Sequence, residues 1–262
     1  MSLSRKDIFN ATAAGDYFVI PPYHKADMTI ILMHGAGTSA EHMRPAAKKL
    51  HAFLPNCTLI VPNGDEKADL NLIPPEHHYD ARKRGAFNWT IGPGDSSGKG
   101  FFNVNRQAIE QECRTRPVFL LGFSMGGFKA SQEYLAHRDL YAGAVLHSSG
   151  LVMPLPDQLP EKKTSFEPEI FTLVGVEDEY LRPGRVPGAF KAGLANGLKA
   201  TFMRSAAPAM MLGTHLYNSY KLNRAGVTTK TRLAAGIPHH INDRSVGIVT
   251  DHMRKLICAP GS

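Results

Sequence analysis

Five short apolar runs punctuate the chain: Met28 to Met33 (MTIILM), Thr58 to Pro62 (TLIVP), Pro117 to Phe123 (PVFLLGF), Gly143 to Ser149 (GAVLHSS) and Ile170 to Gly175 (IFTLVG). Each is short and almost continuously apolar, the pattern of a strand buried on both faces. Helical periodicity fills the intervals. Met43, Ala47, Leu50 and Leu54 recur at three- and four-residue steps within Ala40 to Leu54, which predicts an amphipathic helix. The same spacing predicts helices over Phe102 to Cys113, over Gly127 to His137, and over Asn242 to Ile257 with Ile248, Val249, Met253 and Leu256 inward. Strands alternating with helices imply crossover connections, hence an α/β domain with a mostly parallel central sheet and helices on both faces.

No repeat or linker divides the pattern, so residues 1–262 read as a single domain. Two stretches fit it less well. Asn63 to Gly100 is polar and rich in Gly and Pro, and loops of that length are usually functional or mobile. Phe190 to Ala225 holds more helical material than one crossover needs, including the apolar APAMML. It reads either as core packing or as a cap or insertion at about 190–225.

Composition adds exclusions. The net charge of +7 arises from scattered basic residues and short clusters such as DARKRG. It reads either as a generally basic, soluble surface or as one that attracts anionic partners such as phospholipid headgroups, but no helix–turn–helix, RNA-binding aromatic motif or zinc-finger spacing accompanies it, so nucleic acid is not an expected partner. No run of ~18 apolar residues is available for a transmembrane helix. The start, MSLSRKDIFNATAAGDYF, lacks the apolar core of a signal peptide. Three widely spaced cysteines, Cys57, Cys113 and Cys258, indicate neither a disulfide framework nor a zinc site. The expectation is a cytoplasmic protein.

The chemistry begins at GFSMGG, Gly122 to Gly127, directly after an apolar strand and before an amphipathic helix. In a parallel sheet, ligands bind beyond the carboxyl ends of the strands. A serine on a tight strand-to-helix turn there is pushed into the cleft, and the crowding is tolerated only where neighbours lack side chains. Gly122 and Gly126 meet that need, and Gly127 lets the helix pack closely. This is a nucleophile elbow, Gly-x-Ser-x-Gly, with Ser124 as the nucleophile.

A serine hydroxyl needs a base to take its proton, and in this fold the chain order is Ser, then Asp or Glu, then His. Asp178 follows the strand IFTLVG, with Glu177 and Glu179 beside it. His239 and His240 lie in a loop, GIPHHI, before the last helix. The developing oxyanion needs donors. The small-residue turn of LMHGAGTSAEH (Leu32 to His42) offers the backbone N–H of Ala36, and Met125 offers another after the nucleophile. His34 reads as an orienting residue of that turn.

The segments ILMHGAGTS, VPNGD, FNW, LLGFSMGGFKA, AVLHSSG, VGVEDEYLRP and GIPHHI resemble, in that order, motifs of the α/β-hydrolase superfamily. They look most like its carboxylesterase, lysophospholipase and acyl-protein thioesterase branch. The resemblance spans about Thr29 to Leu256 and implies the α/β-hydrolase fold. It implies an acid three residues after a glycine, which selects Asp178, and a histidine three residues after Gly236, which selects His239. It also implies the oxyanion donors Ala36 and Met125, and places Phe87 and Trp89 near the substrate cleft, where packing alone is the other reading. The chain departs from the branch at Val174, where His is usual, and at Pro238, where Gly is usual. The second departure keeps His240 as an alternative base.

The expected activity is a serine hydrolase acting on small-molecule carboxylic esters or thioesters, including lipid-derived ones, without metal or organic cofactor. A non-catalytic binding protein of the same fold and an acyltransferase using the same triad are the alternatives. GPGDSSGKG (Gly92 to Gly100) departs from a phosphate loop at Pro93 and Gly100. The adjacent histidines of PEHHYD (Pro75 to Asp80) point apart in an extended segment and do not read as a metal site.

Overall fold

The structure, a computed structural model, describes residues 17–69, 71, 82–91, 100–151, 159–162, 166–178, 213 and 215–257. The elements are β1 (Tyr17–Ile20), β2 (Met28–Met33), α1 (Ala40–Phe53), β3 (Cys57–Pro62), β4 (Glu66–Lys67), β5 (Phe87–Asn88), α2 (Phe101–Val104), α3 (Arg106–Thr115), β6 (Val118–Phe123), α4 (Met125–Ala136), β7 (Gly143–His147), β8 (Ile170–Gly175), a helix α5 over residues 215–224, β9 (Thr229–Ala234) and α6 (Asp243–Ile257). Seven strands form one sheet in the order β1-β3-β2-β6-β7-β8-β9. Only β1 runs antiparallel to its neighbour, β3. The remaining pairs are parallel, with Ile30 opposite Leu59 and Phe119, and Leu146 opposite Gly122 and Thr172.

The alternation of side chains along each strand divides the core in two. Ile30, Leu32, Leu59, Phe119, Leu121 and Val145 face α1 and α6, where Met43, Leu50, Val249 and Met253 meet them. Ile31, Met33, Ile60, Leu120 and Leu146 face the other way, against Phe101 and Phe102 of α2, Tyr134 of α4 and Leu222 of α5. Both faces are therefore covered, which is why the central strands carry no polar alternation.

The five apolar runs and the α1, α4 and α6 periodicities coincide with observed elements to within two residues. Elsewhere the structure corrects the expectation. One helix over Phe102 to Cys113 is in fact two, broken at Asn105, whose buried Nδ2 donates to the Phe101 carbonyl. The Asn63 to Gly100 stretch contains the antiparallel ribbon β4–β5. The edge strands β1 and β9 are not among the five runs, although β1, YFVI, is itself apolar throughout. β9, TKTRLA, is largely exposed because an edge strand has a neighbour on one side only. Of the expected 190–225 cap, residues 190–212 lie outside the described residues, and 215–224 form α5.

A buried ionic hub closes the amino-terminal side of the sheet. The Glu169 carboxylate, 1% exposed, accepts from Tyr134 Oη (2.6 Å), from Arg138 Nε (2.6 Å) and Nη2 (2.8 Å), and from the Thr228 N–H (3.1 Å). These bonds tie α4, β8 and the approach to β9 together. Removing one member of such a pair leaves the other charge buried and uncompensated. Glu169→Ala is therefore expected to lower the unfolding free energy by ~3–5 kcal/mol, measured by urea denaturation. Glu41→Ala, which breaks an exposed pair with Arg44, is expected to cost less than ~1 kcal/mol. Equal losses would remove the hub from the account of stability.

Candidate active site

Ser124 separates β6 from α4 and holds φ 52° and ψ −120°, a strained conformation for a residue with a side chain. Its surroundings impose that strain. Its N–H donates to the His147 carbonyl at 2.9 Å, and its own carbonyl accepts from the Gly127 N–H at 2.9 Å. A Cβ on Gly122 would stand 2.1 Å from the Gly126 oxygen, and one on Gly126 2.5 Å from the His34 oxygen. Three backbone segments thus cross where only hydrogen fits, and the turn lifts the Ser124 side chain beyond the strand ends.

The residues after β8 and before α6 meet by a similar close approach. A Cβ on Gly175 would lie 1.6 Å from the Ile237 oxygen. The Glu177 carboxylate accepts from the N–H groups of Gly236 (2.6 Å) and Ile237 (3.3 Å). Asn242 donates to the Gly236 carbonyl at 2.9 Å, and its Oδ1 accepts from the Ser245 N–H at 2.9 Å, which caps α6. These bonds deliver His239 between Asp178 and Ser124. Its Nδ1 lies 2.9 and 3.1 Å from the two Asp178 oxygens, and its Nε2 lies 3.0 Å from Ser124 Oγ. A carboxylate only accepts, so Nδ1 carries the hydrogen and Nε2 is left to accept from the serine. Asp178 is 3% exposed. Phe123 packs against the His239 ring at 5.1 Å. His240 is exposed, with its N–H bonded to the Pro238 carbonyl.

The turn after β2 completes the cleft. His34 is fully buried, and its Nε2 accepts from the Gly64 N–H at 2.8 Å, so Nδ1 donates to the Gly35 carbonyl at 2.7 Å. Burial pushes its pKa down to about 4, and the ring stays a neutral clamp. The Gly37 N–H is shared between the Phe87 carbonyl and Asn88 Oδ1, both at 3.0 Å. Trp89 Nε1 donates to the His34 carbonyl at 2.9 Å. Gly35 backs onto the serine, a Cβ there standing 3.4 Å from Ser124 Cβ. Ala36, next along, is exposed. Among the described residues, neither its N–H nor that of Met125 donates to a backbone acceptor.

Ser124, Asp178 and His239 are thus brought together, with Ala36 and Met125 on the two turns that flank the serine. Phe87 and Trp89 are both buried and hold the β2 turn through a carbonyl and an indole N–H. The supporting roles of several residues escaped the sequence reading. Glu177, Asn88 and Asn242 act on backbone groups across the fold, which no local pattern reveals. Lys129 pairs with Asp65 at 3.2 Å, each 3% exposed, and donates to the Thr90 carbonyl at 3.1 Å. A lysine within the apolar face of α4 was the one available signal. Among the described residues no group of three or more His, Cys, Asp or Glu is placed to hold a metal, and PEHHYD lies outside them.

The chain has the α/β-hydrolase fold. Over residues 14–88 it resembles the phospholipase/carboxylesterase family. That match ends before Ser124. No curated protein matches the chain. Among solved structures, esterase PE8 superposes with a TM-score of 0.55 at 14% identity, over 91% of this chain and 97% of that one. The Bacillus cereus carboxylesterase gives 0.52 at 13% identity, over 92% and 93%. Acyl-protein thioesterase 2 of Zea mays gives 0.51 at 13% identity, over 93% and 99%. Among the described residues no helix is long and apolar enough to cross a membrane.

His147, 2% exposed, packs edge-on to Phe123 behind His239, and burial pushes its pKa down to about 4. His34 and His147 thus stay neutral in the fold, while in the unfolded chain each takes up a proton near pH 6.5. Between about pH 6.5 and 4 the unfolded state binds more protons, so their contribution is full above that window and is lost as pH falls through it. Stability is expected to drop there by up to ~1.4 kcal/mol per pH unit for each histidine. Urea midpoints across the window should fall less steeply in His147→Leu than in the parent. Parallel curves would mean that His147 titrates normally in the fold.

Proposed function

We propose that the protein is a serine hydrolase that cleaves carboxylic esters or thioesters through an acyl-enzyme. The observation that carries this reading is the continuous hydrogen-bonded line from Ser124 Oγ through His239 to Asp178. The fold and the family resemblance of residues 14–88 support it.

In the proposed reaction Ser124 Oγ attacks the substrate carbonyl carbon as its proton passes to His239 Nε2. Asp178 holds the tautomer and balances the imidazolium that forms. The N–H groups of Ala36 and Met125 receive the oxyanion, in a site whose donors are fixed before reaction. Collapse of the intermediate breaks the bond to the leaving alcohol or thiol, which takes the proton from His239. Water then attacks the acyl-enzyme, giving its proton to the same nitrogen, and Ser124 leaves with that proton restored. Lipid-derived esters fall within this chemistry.

Hydrolysis of p-nitrophenyl esters of two to sixteen acyl carbons, beside variants, tests the assignment. Ser124→Ala is expected to lower kcat by at least about ten-thousand-fold with an unchanged melting temperature. Asp178→Asn should cost a similar factor by allowing the wrong tautomer. A fluorophosphonate should label the parent at Ser124 and leave Ser124→Ala unlabelled. Near-parental turnover in Ser124→Ala would end the proposal.

A further inference from the structure

A lysine is almost never fully buried unless an acid is buried with it. Lys129 and Asp65 are such a pair, 3.2 Å apart, with each side chain 3% exposed. Lys129 lies on α4, five residues after Ser124, and Asp65 immediately precedes β4. Neither belongs to the line from Ser124 through His239 to Asp178. A buried pair of this kind is weak ground for stability, because apolar side chains of similar volume often serve a fold as well. What it supplies is direction, since both charges must be satisfied in the same arrangement.

The pair ties two further segments to the helix that carries the nucleophile. Asp65 Oδ2 accepts from the Thr90 N–H at 3.0 Å, and its Oδ1 accepts from the Phe101 N–H at 3.3 Å. Lys129 Nζ donates to the Thr90 carbonyl at 3.1 Å. The residues just before Asp65 and Thr90 are the ones that grip the β2 turn. Gly64 donates its N–H to His34 Nε2 at 2.8 Å, and Trp89 donates its indole N–H to the His34 carbonyl at 2.9 Å. Gly64 lies against Asn88, a Cβ on the glycine standing 2.3 Å from the Asn88 carbonyl oxygen. Phe87 and Asn88 in turn hold the Gly37 N–H. His34 and Gly37 bracket Gly35 and Ala36. The chain of contacts therefore begins on α4, passes through Lys129 and Asp65, and ends on both sides of Ala36. Met125 stands on the first turn of the same helix.

We propose that Lys129 and Asp65 are positioning residues that fix the separation of the two oxyanion donors, the N–H groups of Ala36 and Met125. This rests on the hydrolase reading above. The glycine contacts at the elbow, where a Cβ on Gly126 would stand 2.5 Å from the His34 oxygen, set how closely turn and helix approach. The ionic tether sets how far they part. An oxyanion donor acts only if it is in place before the charge develops, and losing one costs about 10²–10³ in kcat. A displacement of about 1 Å, imposed from a residue remote from the chemistry, costs about 10².

The test is the double variant Asp65→Asn/Lys129→Met, which removes both charges but keeps the side-chain volumes and an acceptor at residue 65. Turnover is counted per serine titrated to completion with a fluorophosphonate, so that unfolded chains do not enter it. On p-nitrophenyl butyrate kcat should fall about a hundredfold with KM within about twofold of the parent. Affinity for a trifluoromethyl ketone, whose adduct with Ser124 places an oxyanion at the same donors, should weaken in proportion to kcat/KM. A merely structural pair would lower the titrated fraction or the melting temperature and leave the other three quantities unchanged. Lys129→Gln, which keeps a donor for Asp65, should show the same split and serves if the double variant does not fold. A kcat within about threefold of the parent, a loss confined to KM, or a loss that spares the ketone affinity would overturn the tether. If the parent takes the fluorophosphonate without hydrolysing these esters, the ketone comparison alone decides. A parent that neither labels at Ser124 nor hydrolyses any ester would overturn the hydrolase reading, and the positioning role with it.

Discussion

The site depends on a steric constraint, the crossing of three backbones around Ser124. Gly122 and Gly126 touch one another and the end of β2 so closely that no Cβ fits. The left-handed φ of Ser124 is the conformation in which β6 can pass into α4 at that separation. The same contact brings the Gly35–Ala36 turn against the serine. One crossing thus positions the nucleophile and, on the proposed reading, both oxyanion donors. Strain of this kind costs about 1–3 kcal/mol and persists only where the surroundings over-determine it. Here two strands and a helix, each packed into a core on either side of the sheet, supply that insistence.

Around the crossing, polar networks fix loops that hydrophobic packing leaves free. His34, Asn88 and the Asp65–Lys129 pair hold the β2 turn and the elbow helix to the segments near β4 and β5. Glu177 and Asn242 hold the histidine loop. Buried polar groups are worth little net when satisfied and cost much when left alone. Such networks therefore select one arrangement of the loops more than they stabilise the fold. That specificity is what a line of bonds near 3 Å from Ser124 to Asp178 requires.

The family resemblance covers residues 14–88, which include the β2 turn but not the serine, acid or histidine. The similar solved structures, at 13–14% identity, speak to the fold. The assignment of chemistry therefore rests on the Ser124, His239 and Asp178 contacts, and folds of this kind host many activities.

Much of this was legible in the sequence. Continuous apolar runs mark strands buried on both faces, and the spacing of Met43, Ala47 and Leu50 marks a helix packed on one of them. The glycines around Ser124 announce the elbow because crowding leaves no other residue. Edge strands such as β9 were illegible, since a strand covered on one side needs no apolar run. The break at Asn105 was hidden as well, because its side chain bonds the backbone only once the helix has formed. Sequence left His240 beside His239, and Glu177 and Glu179 beside Asp178, since adjacent residues differ only in direction; Glu179 lies outside the described residues. Only the tertiary structure decides which of them meet: the Gly175–Ile237 contact sets the spacing of two loops 59 to 61 residues apart, and chain direction at that crossing brings His239 between Asp178 and Ser124, the contacts on which the proposed roles rest. Local pattern is a property of neighbours along the chain, whereas the site is a property of neighbours in space.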